Sequence, residues 1–337
     1  MKIHTTTFNE ILTLIHNSKQ KAFHSVNGIL IELYWNIGHH LSEKTVKEKW
    51  GKSVVEELAN FIQHKEPNIR GFTARNLWRM KQFYETYKEN KKLSTLLTEL
   101  SWSNNLLILS STKSEKEREF YLQLCIQEKY SHRELQRQIS SGVYERTELA
   151  NIKLSPVVKD FPKNTQNIFR DSYSLEFLGL PMMHSENDLQ KALVGKLKDF
   201  ILEIGRDFCF MGQEYRLQVG NSDFEIDLLF YHRALQCMVV FELKIDNFKP
   251  AYLGQLEFYL EVLDKEVKKE YENPSIGVLL CRKKDDEVVK YALNRSLSPT
   301  VIAEYETKLI PKDVLQKKLN ELYEAYEDEI KIMDDAK

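Results

Sequence analysis

The chain changes its hydrophobic period once. Up to about residue 150, apolar side chains recur at intervals of three and four, the repeat that lines one face of a helix. "FNEILTLIHNSKQKAFHSVNGILIELYWNIGHHLSEK" carries Ile11, Leu12, Leu14 and Ile15, then Ile29, Leu30, Leu33, Tyr34 and Ile37 in this pattern. "SVVEELANFIQHKEP" predicts a second helix, stopped at Pro67. "TARNLWRMKQFYETYKEN" predicts a third, with Thr73 as N-cap and Leu77, Met80, Phe83, Tyr84 and Tyr87 on one stripe. Ser114 opens "SEKEREFYLQLCIQEKY" with acids in its first turn. Ser131 and Glu134 have capping-box spacing ahead of a helix that ends near Gly142.

A polar stretch with Pro156 and Pro162 then interrupts the pattern. "ENDLQKALVGKLKDFILEIG" predicts an amphipathic helix closed by Gly205, and "FCFMGQEYRLQVG", "DFEIDLLFYH" and "CMVVFELKI" predict three successive strands. "PAYLGQLEFYLEVLDKEV" predicts a helix, "SIGVLLC" a buried strand, "DEVVKYALNRS" a helix and "TVIAEYE" a last strand. The order α-β-β-β-α-β-α-β describes a mixed sheet flanked by helices. The expected organisation is α+β overall. An all-helical domain spans 1–150, a linker 151–172, an α/β domain 173–310 and a C-terminal helix 311–337.

Composition adds little until it is divided. Hydrophobic residues are 42% and charged residues 29%, enough apolar material for two cores, and the net charge is −2. Residues 1–150 hold 22 lysines and arginines against 17 acids, however, while the remainder holds 26 against 33. Within Lys65–Lys92 the ratio is 8 to 3. Four cysteines stand far apart with no ligand spacing, and we expect reduced core thiols in a cytoplasmic protein. The N-terminus lacks the apolar segment of a signal peptide, and no run approaches the ~18 residues that cross a bilayer.

The candidate chemistry lies in "IDLLFYHRALQCMVVFELK", where three charged residues interrupt two strands otherwise fit for a core. A hairpin turning between Ala234 and Leu235 sets Asp227 opposite Glu242, with both side chains on one face of the sheet and Lys244 on that face too. A slip of one residue would set Asp227 opposite Phe241 or Leu243 and part the two carboxylates. Adjacent buried carboxylates repel, and a divalent cation removes the repulsion; hard oxygen ligands suit Mg²⁺ or Mn²⁺. Lys244 can orient an attacking water or help deprotonate it, which completes the requirements for metal-assisted phosphodiester hydrolysis. A lone E-x-K is ordinarily a salt bridge, and Asp223 and Glu225 are rival ligands on the same face. Asp227 is preferred because apolar strand surrounds it, whereas Asp223 follows the turn-forming Gly220–Asn221–Ser222.

Asp227 followed by Glu242–Leu243–Lys244 resembles the PD-(D/E)XK nuclease signature. The surrounding "DFEIDLLFYHRALQCMVVFELK" and "FKPAYLGQLEFYL" resemble the YhcG-type family of bacterial PD-(D/E)XK proteins. The likeness extends to "YWNIGHHL", "GFTARNLWRMKQFY", "LSWSNNLLIL", "EREFYL" and "SHRELQRQI" in the N-terminal domain, and to "DSYSLEFLGL" and "SENDLQKAL" beyond it. The resemblance implies a restriction-endonuclease-like α/β domain behind a helical, winged-helix-like, DNA-binding domain. It implies that Asp227, Glu242 and the Leu243 backbone carbonyl hold Mg²⁺ or Mn²⁺ and that Lys244 is the catalytic lysine. Glu186 matches the acidic position of the helix before the sheet, where it either supports the metal or complements the helix dipole. Gln255 matches a polar position after the E-x-K strand, where packing beside Tyr252 and Tyr259 explains it equally well. Gln213–Glu214 stands where Arg–Gln is expected, which weakens a phosphate contact there.

Arg75 and Arg79 are i, i+4 neighbours, flanked by Arg70 and Lys81. They form either a phosphate-contacting face or a solvated one. Trp35, Trp50, Trp78 and Trp102 read as core. The function expected is a metal-dependent DNA endonuclease acting in restriction, phage defence or recombination. The alternative is an inactive DNA-binding or protein-docking subunit of a restriction-type complex. DNA is the expected partner; a restriction or defence protein and a second copy of the chain remain open, and a membrane is excluded.

Overall fold

The computed structural model describes residues 26–150, 168–181, 183–294, 296 and 298–335, without the side chains of 91, 92 and 325–335. The expected stripe Ile11, Leu12, Leu14, Ile15 and the linker prolines Pro156 and Pro162 lie outside the described residues. Two compact units divide the chain, Met1–Ile139 and Ser140–Lys337.

The first unit is built of α1 (26–47), α2 (Lys52–Lys65), α3 (Ala74–Tyr87), α4 (Lys91–Glu99), α5 (Trp102–Ser111), α6 (Glu115–Glu128) and α7 (His132–Ser140). No strand is found among its described residues, so the unit is all-helical there and shows no wing. The caps fall where the sequence places them. The Thr73 hydroxyl accepts from the Asn76 N–H at 3.3 Å, Ser114 accepts from Glu117 N–H at 3.1 Å, and Ser131 and Glu134 bond reciprocally. α3 turns Leu77, Met80, Phe83 and Tyr87 inward. Trp102 packs tilted against Tyr34 and edge-on against Phe83, Trp35 meets Phe83 and Tyr84, and Trp50 and Trp78 cover the same core.

α1 departs from the expected stripe, because Ile31, Tyr34 and Leu41 are buried while Ile29 and Leu33 are exposed. Gly38 accounts for the chosen face. A Cβ there would lie 2.1 Å from the Met80 carbonyl oxygen, so α1 rests directly on α3 along a line only glycine permits.

The second unit begins at Ser140, before the expected boundary at 150. Its first helix, α8 (Val143–Glu148), is tied to the sheet: Arg146 donates to the Ser172 carbonyl at 3.0 Å and to Glu203 at 3.1 Å. Glu203 is fully buried and also accepts from Arg170 and from the Ser174 N–H, so its charge is compensated. The C-terminal helix, α13 (Lys312–Asp335), joins this end through Gln316, which donates to Glu145 at 3.1 Å.

Six strands form one sheet: β1 (Ser172–Ser174), β2 (Phe208–Val219), β3 (Ser222–His232), β4 (Cys237–Leu243), β5 (Ile276–Cys281) and β6 (Thr300–Glu306). Their order is β1-β6-β5-β4-β3-β2, parallel from β1 to β4 and antiparallel from β4 to β2. β1 is an addition at the end of the expected linker, too short to show a period. The single helix expected over 186–205 is two, α9 (Glu186–Gly195) and α10 (Leu197–Ile204), broken where Lys196 leaves helical geometry.

α9 and α10 cover one face, burying Leu189, Leu193, Phe200 and Ile204 against Phe241 and Leu243. α11 (Tyr252–Val262) and α12 (Asp286–Leu293) cover the other, against Val240 and Leu279. Covered on both sides, every residue of β4 and β5 is buried, which is why those strands read as unbroken apolar runs. Cys125, Cys237 and Cys281 are buried free thiols as expected, but Cys209 lies exposed on the edge strand β2. No helix among the described residues is long and apolar enough to cross a membrane.

Candidate active site

The β3–β4 hairpin sets the register. Leu228 pairs with Phe241, Leu229 with Val240, and so on to His232 with Cys237. One further residue along the same register, beyond the last ladder pair, Asp227 comes opposite Glu242, and its charge acts on that carboxyl. There the ladder gives way to side-chain bonding, as the Leu243 N–H donates to Asp227 Oδ2 at 2.8 Å.

Glu242 is only 2% exposed, and its two oxygens are treated differently. Oε1 accepts from Lys244 Nζ at 3.0 Å, whereas Oε2 has no hydrogen-bond partner among the described residues. A buried unpaired carboxylate oxygen is costly. Burial first, and then the charge of Asp227, push the Glu242 carboxyl up to about 7 against the pull of Lys244. Asp227 is raised too, by burial, although the Leu243 N–H and Lys244 oppose the rise. Burial alone would lower Lys244, but the neighbouring Glu242 outweighs it and holds the ammonium above its ordinary value. In this state Lys244 is a hydrogen-bond donor, not a base.

Lys244 Nζ also lies 3.7 Å from Glu186 Oε2 and 5.5 Å from the centre of the Tyr252 ring. The Tyr252 hydroxyl donates to Asp246, which fixes the ring. Glu186 is the first residue of α9, following the Ser185 N-cap and its capping box with Asp188. One turn on, Gln190 donates from Nε2 to the Asp227 backbone carbonyl at 3.0 Å and fastens α9 to β3. Gln255 donates to the Tyr259 hydroxyl at 2.7 Å. Burial raises the pKa of that hydroxyl, and the charges of Glu242, Asp227 and Lys244 also act on it.

Asp223 and Glu225 lie further out on the exposed β2–β3 hairpin, where Glu225 pairs with Arg216 at 3.4 Å. Glu214 is nearer. It lies in β2 between the pairs Gln213–Leu228 and Tyr215–Ile226, has a φ of +46°, and its charge helps raise Asp227. Sequence reasoning passed over Gln190, Tyr252 and Glu214 as contributors. Only Gln190 carried a usable signal, since it follows Glu186 by one helical turn.

Two carboxylates with an orphan oxygen and raised proton affinity are the donor set that a hard cation would relieve. Among the described residues no three His, Cys, Asp or Glu side chains converge on one metal-sized space. A cation held by these two carboxylates would draw its remaining donors from water and a substrate phosphate. Mg²⁺, which takes one or two carboxylates and keeps much of its water, fits such a site.

In the first unit, Arg75 is exposed in the first turn of α3 and Arg79 follows one turn later; Arg70 is exposed in the preceding connection. None of the three forms an ion pair among the described residues. Lys81 differs, because both oxygens of Glu85 accept from it at 2.8 Å and its ammonium lies over the Trp78 ring.

Comparison with known proteins adds a family to this geometry. A family model described as the YhcG PDDEXK nuclease domain matches residues 166–320, and one described as the DUF1016 N-terminal domain matches residues 10–146. YhcG of Escherichia coli (strain K12) is 30% identical over 337 residues, with 89% of each chain covered. Among solved structures, "Structure of EndoMS-dsDNA2 complex" overlaps 38% of this chain and 47% of its own, at 17% identity and a TM-score of 0.27. "Crystal structure of a repair endonuclease from Pyrococcus abyssi" overlaps 38% and 49%, at 18% identity and a TM-score of 0.26. The chain thus matches about half the length of those structures, too loosely to support any inference from them.

Proposed function

Because the chain belongs to the YhcG family, whose C-terminal part is a PDDEXK nuclease domain, we propose that it is a divalent-metal-dependent endonuclease that hydrolyses DNA phosphodiester bonds. The observation that carries this reading is Glu242: buried, opposite a second carboxylate, and with one oxygen left unbonded.

Asp227 and Glu242 would hold Mg²⁺ or Mn²⁺ with the help of the Leu243 carbonyl. When bound, the cation supplies Lewis acidity, polarising the scissile phosphoryl group and lowering the pKa of water. Lys244, held as an ammonium by Glu242, donates hydrogen bonds to the attacking water or the scissile phosphate and so fixes the line of attack. Glu186 steadies the other side of Lys244. Gln255 keeps the Tyr259 hydroxyl oriented behind the carboxylates.

Arg70, Arg75 and Arg79 meet the DNA backbone, with Lys81 contributing least because Glu85 already occupies it. Restriction, phage defence and recombination are the settings in which such an activity would act. The test is incubation of the full chain with linear, nicked, branched and single-stranded DNA in Mg²⁺, Mn²⁺ or EDTA. Cleavage that requires the metal supports the proposal. Salt-sensitive binding without cleavage would instead make the chain a DNA-binding subunit, and salt-insensitive protein capture would make it a docking subunit.

A further inference from the structure

The segment between β1 and α9 packs Phe177, Leu178 and Leu180 against the core and is hydrogen-bonded at two neighbouring residues of β6. At its start, the Leu175 N–H donates to the Glu306 carbonyl at 2.7 Å. At its end, His184 Nε2 lies 3.2 Å from the Tyr305 hydroxyl, while His184 Nδ1 lies 2.9 Å from the Pro181 carbonyl oxygen. A carbonyl oxygen only accepts, so Nδ1 carries the hydrogen, and in the tautomer that leaves Nε2 bare that nitrogen is the acceptor. The hydroxyl of Tyr305, a residue 1% exposed at the end of β6, is then the donor. Among the described residues of 179–185, no other side chain is hydrogen-bonded to the sheet.

Two residues beyond His184, α9 begins with Glu186. The second turn of α9 has its own anchors: Leu189 is buried and Gln190 is bonded to Asp227. The first turn has the capping box, which is internal to the helix, and the His184–Tyr305 bond, which reaches the sheet.

We propose that His184 is a positioning residue, which with Tyr305 clamps the first turn of α9 to β6 and so holds Glu186 against Lys244. This rests on the nuclease reading of Lys244 and Glu186. The chain of contacts runs from the sheet through Tyr305, His184 and the Ser185 cap to Glu186, and ends at the ammonium that faces the reaction. Loosening it leaves the buried side of α9 in place and frees only the turn that carries Glu186.

The test uses the full chain with His184→Ala, Tyr305→Phe, the double variant and His184→Gln, whose amide oxygen can still accept from Tyr305. Displacing reacting groups by about an ångström costs up to roughly 100-fold. Each single variant should therefore lower kcat about 10-fold or more, with KM for DNA within about twofold and the melting temperature within about 3 °C of wild type. The double variant should be no slower than the slower single, as expected of two residues acting through one bond. His184→Gln should recover most of the rate.

Wild-type kcat in both single variants overturns the clamp, as do losses that multiply in the double variant. A fall in melting temperature with unchanged kcat per folded molecule also overturns it. If the wild type cuts no DNA, the nuclease proposal fails, and crystal structures of the same variants decide the clamp separately. A Glu186–Lys244 separation that stays at 3.7 Å in both refutes it, and a lengthened one sustains it.

Discussion

Replacing Glu242 with Gln tests whether its carboxylate is a strained cation ligand or half of an ordinary buried ion pair. The native carboxyl is pushed up to about 7 from an ordinary 4.5, so between these values the folded protein keeps a proton that the unfolded chain has released. The folded state then binds more protons than the unfolded one, and stability falls as pH rises through that window. The stabilisation is fully present only below about pH 4.5 and is gone above about 7. At about 1.4 kcal/mol per pH unit, the ceiling is about 3 kcal/mol. Asp227 shares the repulsion, so we expect on the order of 2 kcal/mol between pH 5 and pH 8.

Glu242→Gln keeps the shape and does not titrate, so in EDTA it should match wild type within about 1 kcal/mol at pH 5 and exceed it by about 2 kcal/mol at pH 8. The ion-pair account gives the opposite sign: removing one partner of a buried pair costs about 3–5 kcal/mol at pH 8. Mg²⁺ at a hundred times its dissociation constant should add about 2.7 kcal/mol to the wild type and little to the variant. All four tryptophans lie in the first unit, so intrinsic fluorescence follows the wrong part of the chain. Hydrogen exchange of β4 amides, read by mass spectrometry across a urea series, follows the right one. A variant less stable than wild type at pH 8, or one with the wild-type pH slope, refutes the reasoning.

Lys244→Ala should cut metal-dependent cleavage by roughly 10²–10⁴-fold in single-turnover assays, and at pH 6, where Glu242 is mostly protonated, calorimetry should find melting nearly unchanged. Asp227→Asn should stabilise the metal-free protein at pH 8 by about 1 kcal/mol, because it relieves the same repulsion, and should abolish any rise in melting temperature on adding Mg²⁺. Removing Arg75 and Arg79 together should weaken binding to all DNA sequences alike and reduce the slope of log K against log salt by about 0.9 for each lost phosphate contact, while cleavage at saturating DNA survives. A wild-type slope in that double variant would transfer DNA reading to the second unit.

How much of this was legible in the sequence depends on the range of the interaction involved. Thr73, Ser114 and Ser131 act within one turn of their own helices, and each caps as its spacing requires. The Asp227–Glu242 juxtaposition needed only a turn position, because a hairpin register follows from its loop. Contacts that join distant segments were hidden. The inward face of α1 follows from the approach of Gly38 to Met80, not from the stripe Ile29, Leu30, Leu33. α8 belongs with the sheet because Arg146 reaches Glu203, and no local pattern shows that. β1 is a strand only because β6 lies beside it.

The same distinction explains why the carboxylates could be placed and their supports could not. Asp227 and Glu242 are neighbours through antiparallel pairing, which is local in sequence. Lys244 stands where β4 ends and the parallel strands β5 and β6 continue on one side, so its surroundings are assembled from elements after and before it. α11 brings Tyr252, α9 brings Glu186, and Gln190 ties α9 back to the strand of Asp227. A sheet that changes from antiparallel to parallel at β4 therefore gives this strand two kinds of neighbour. One side fixes the two carboxylates through hairpin register, and the other leaves the strand's end open to helices that arrive by crossover. The buried orphan oxygen of Glu242 sits at that change. Its burial follows from helices on both faces, and its lack of a partner from the lysine's single contact and the aspartate's repulsion. Filling the site with a protein donor would remove the repulsion and, on this account, the activity as well. Asp227→Lys should thus give a more stable protein at pH 8 that neither binds Mg²⁺ nor cleaves. Calorimetry with and without Mg²⁺ tests this, and a variant still stabilised by the metal would show that Asp227 is not its ligand.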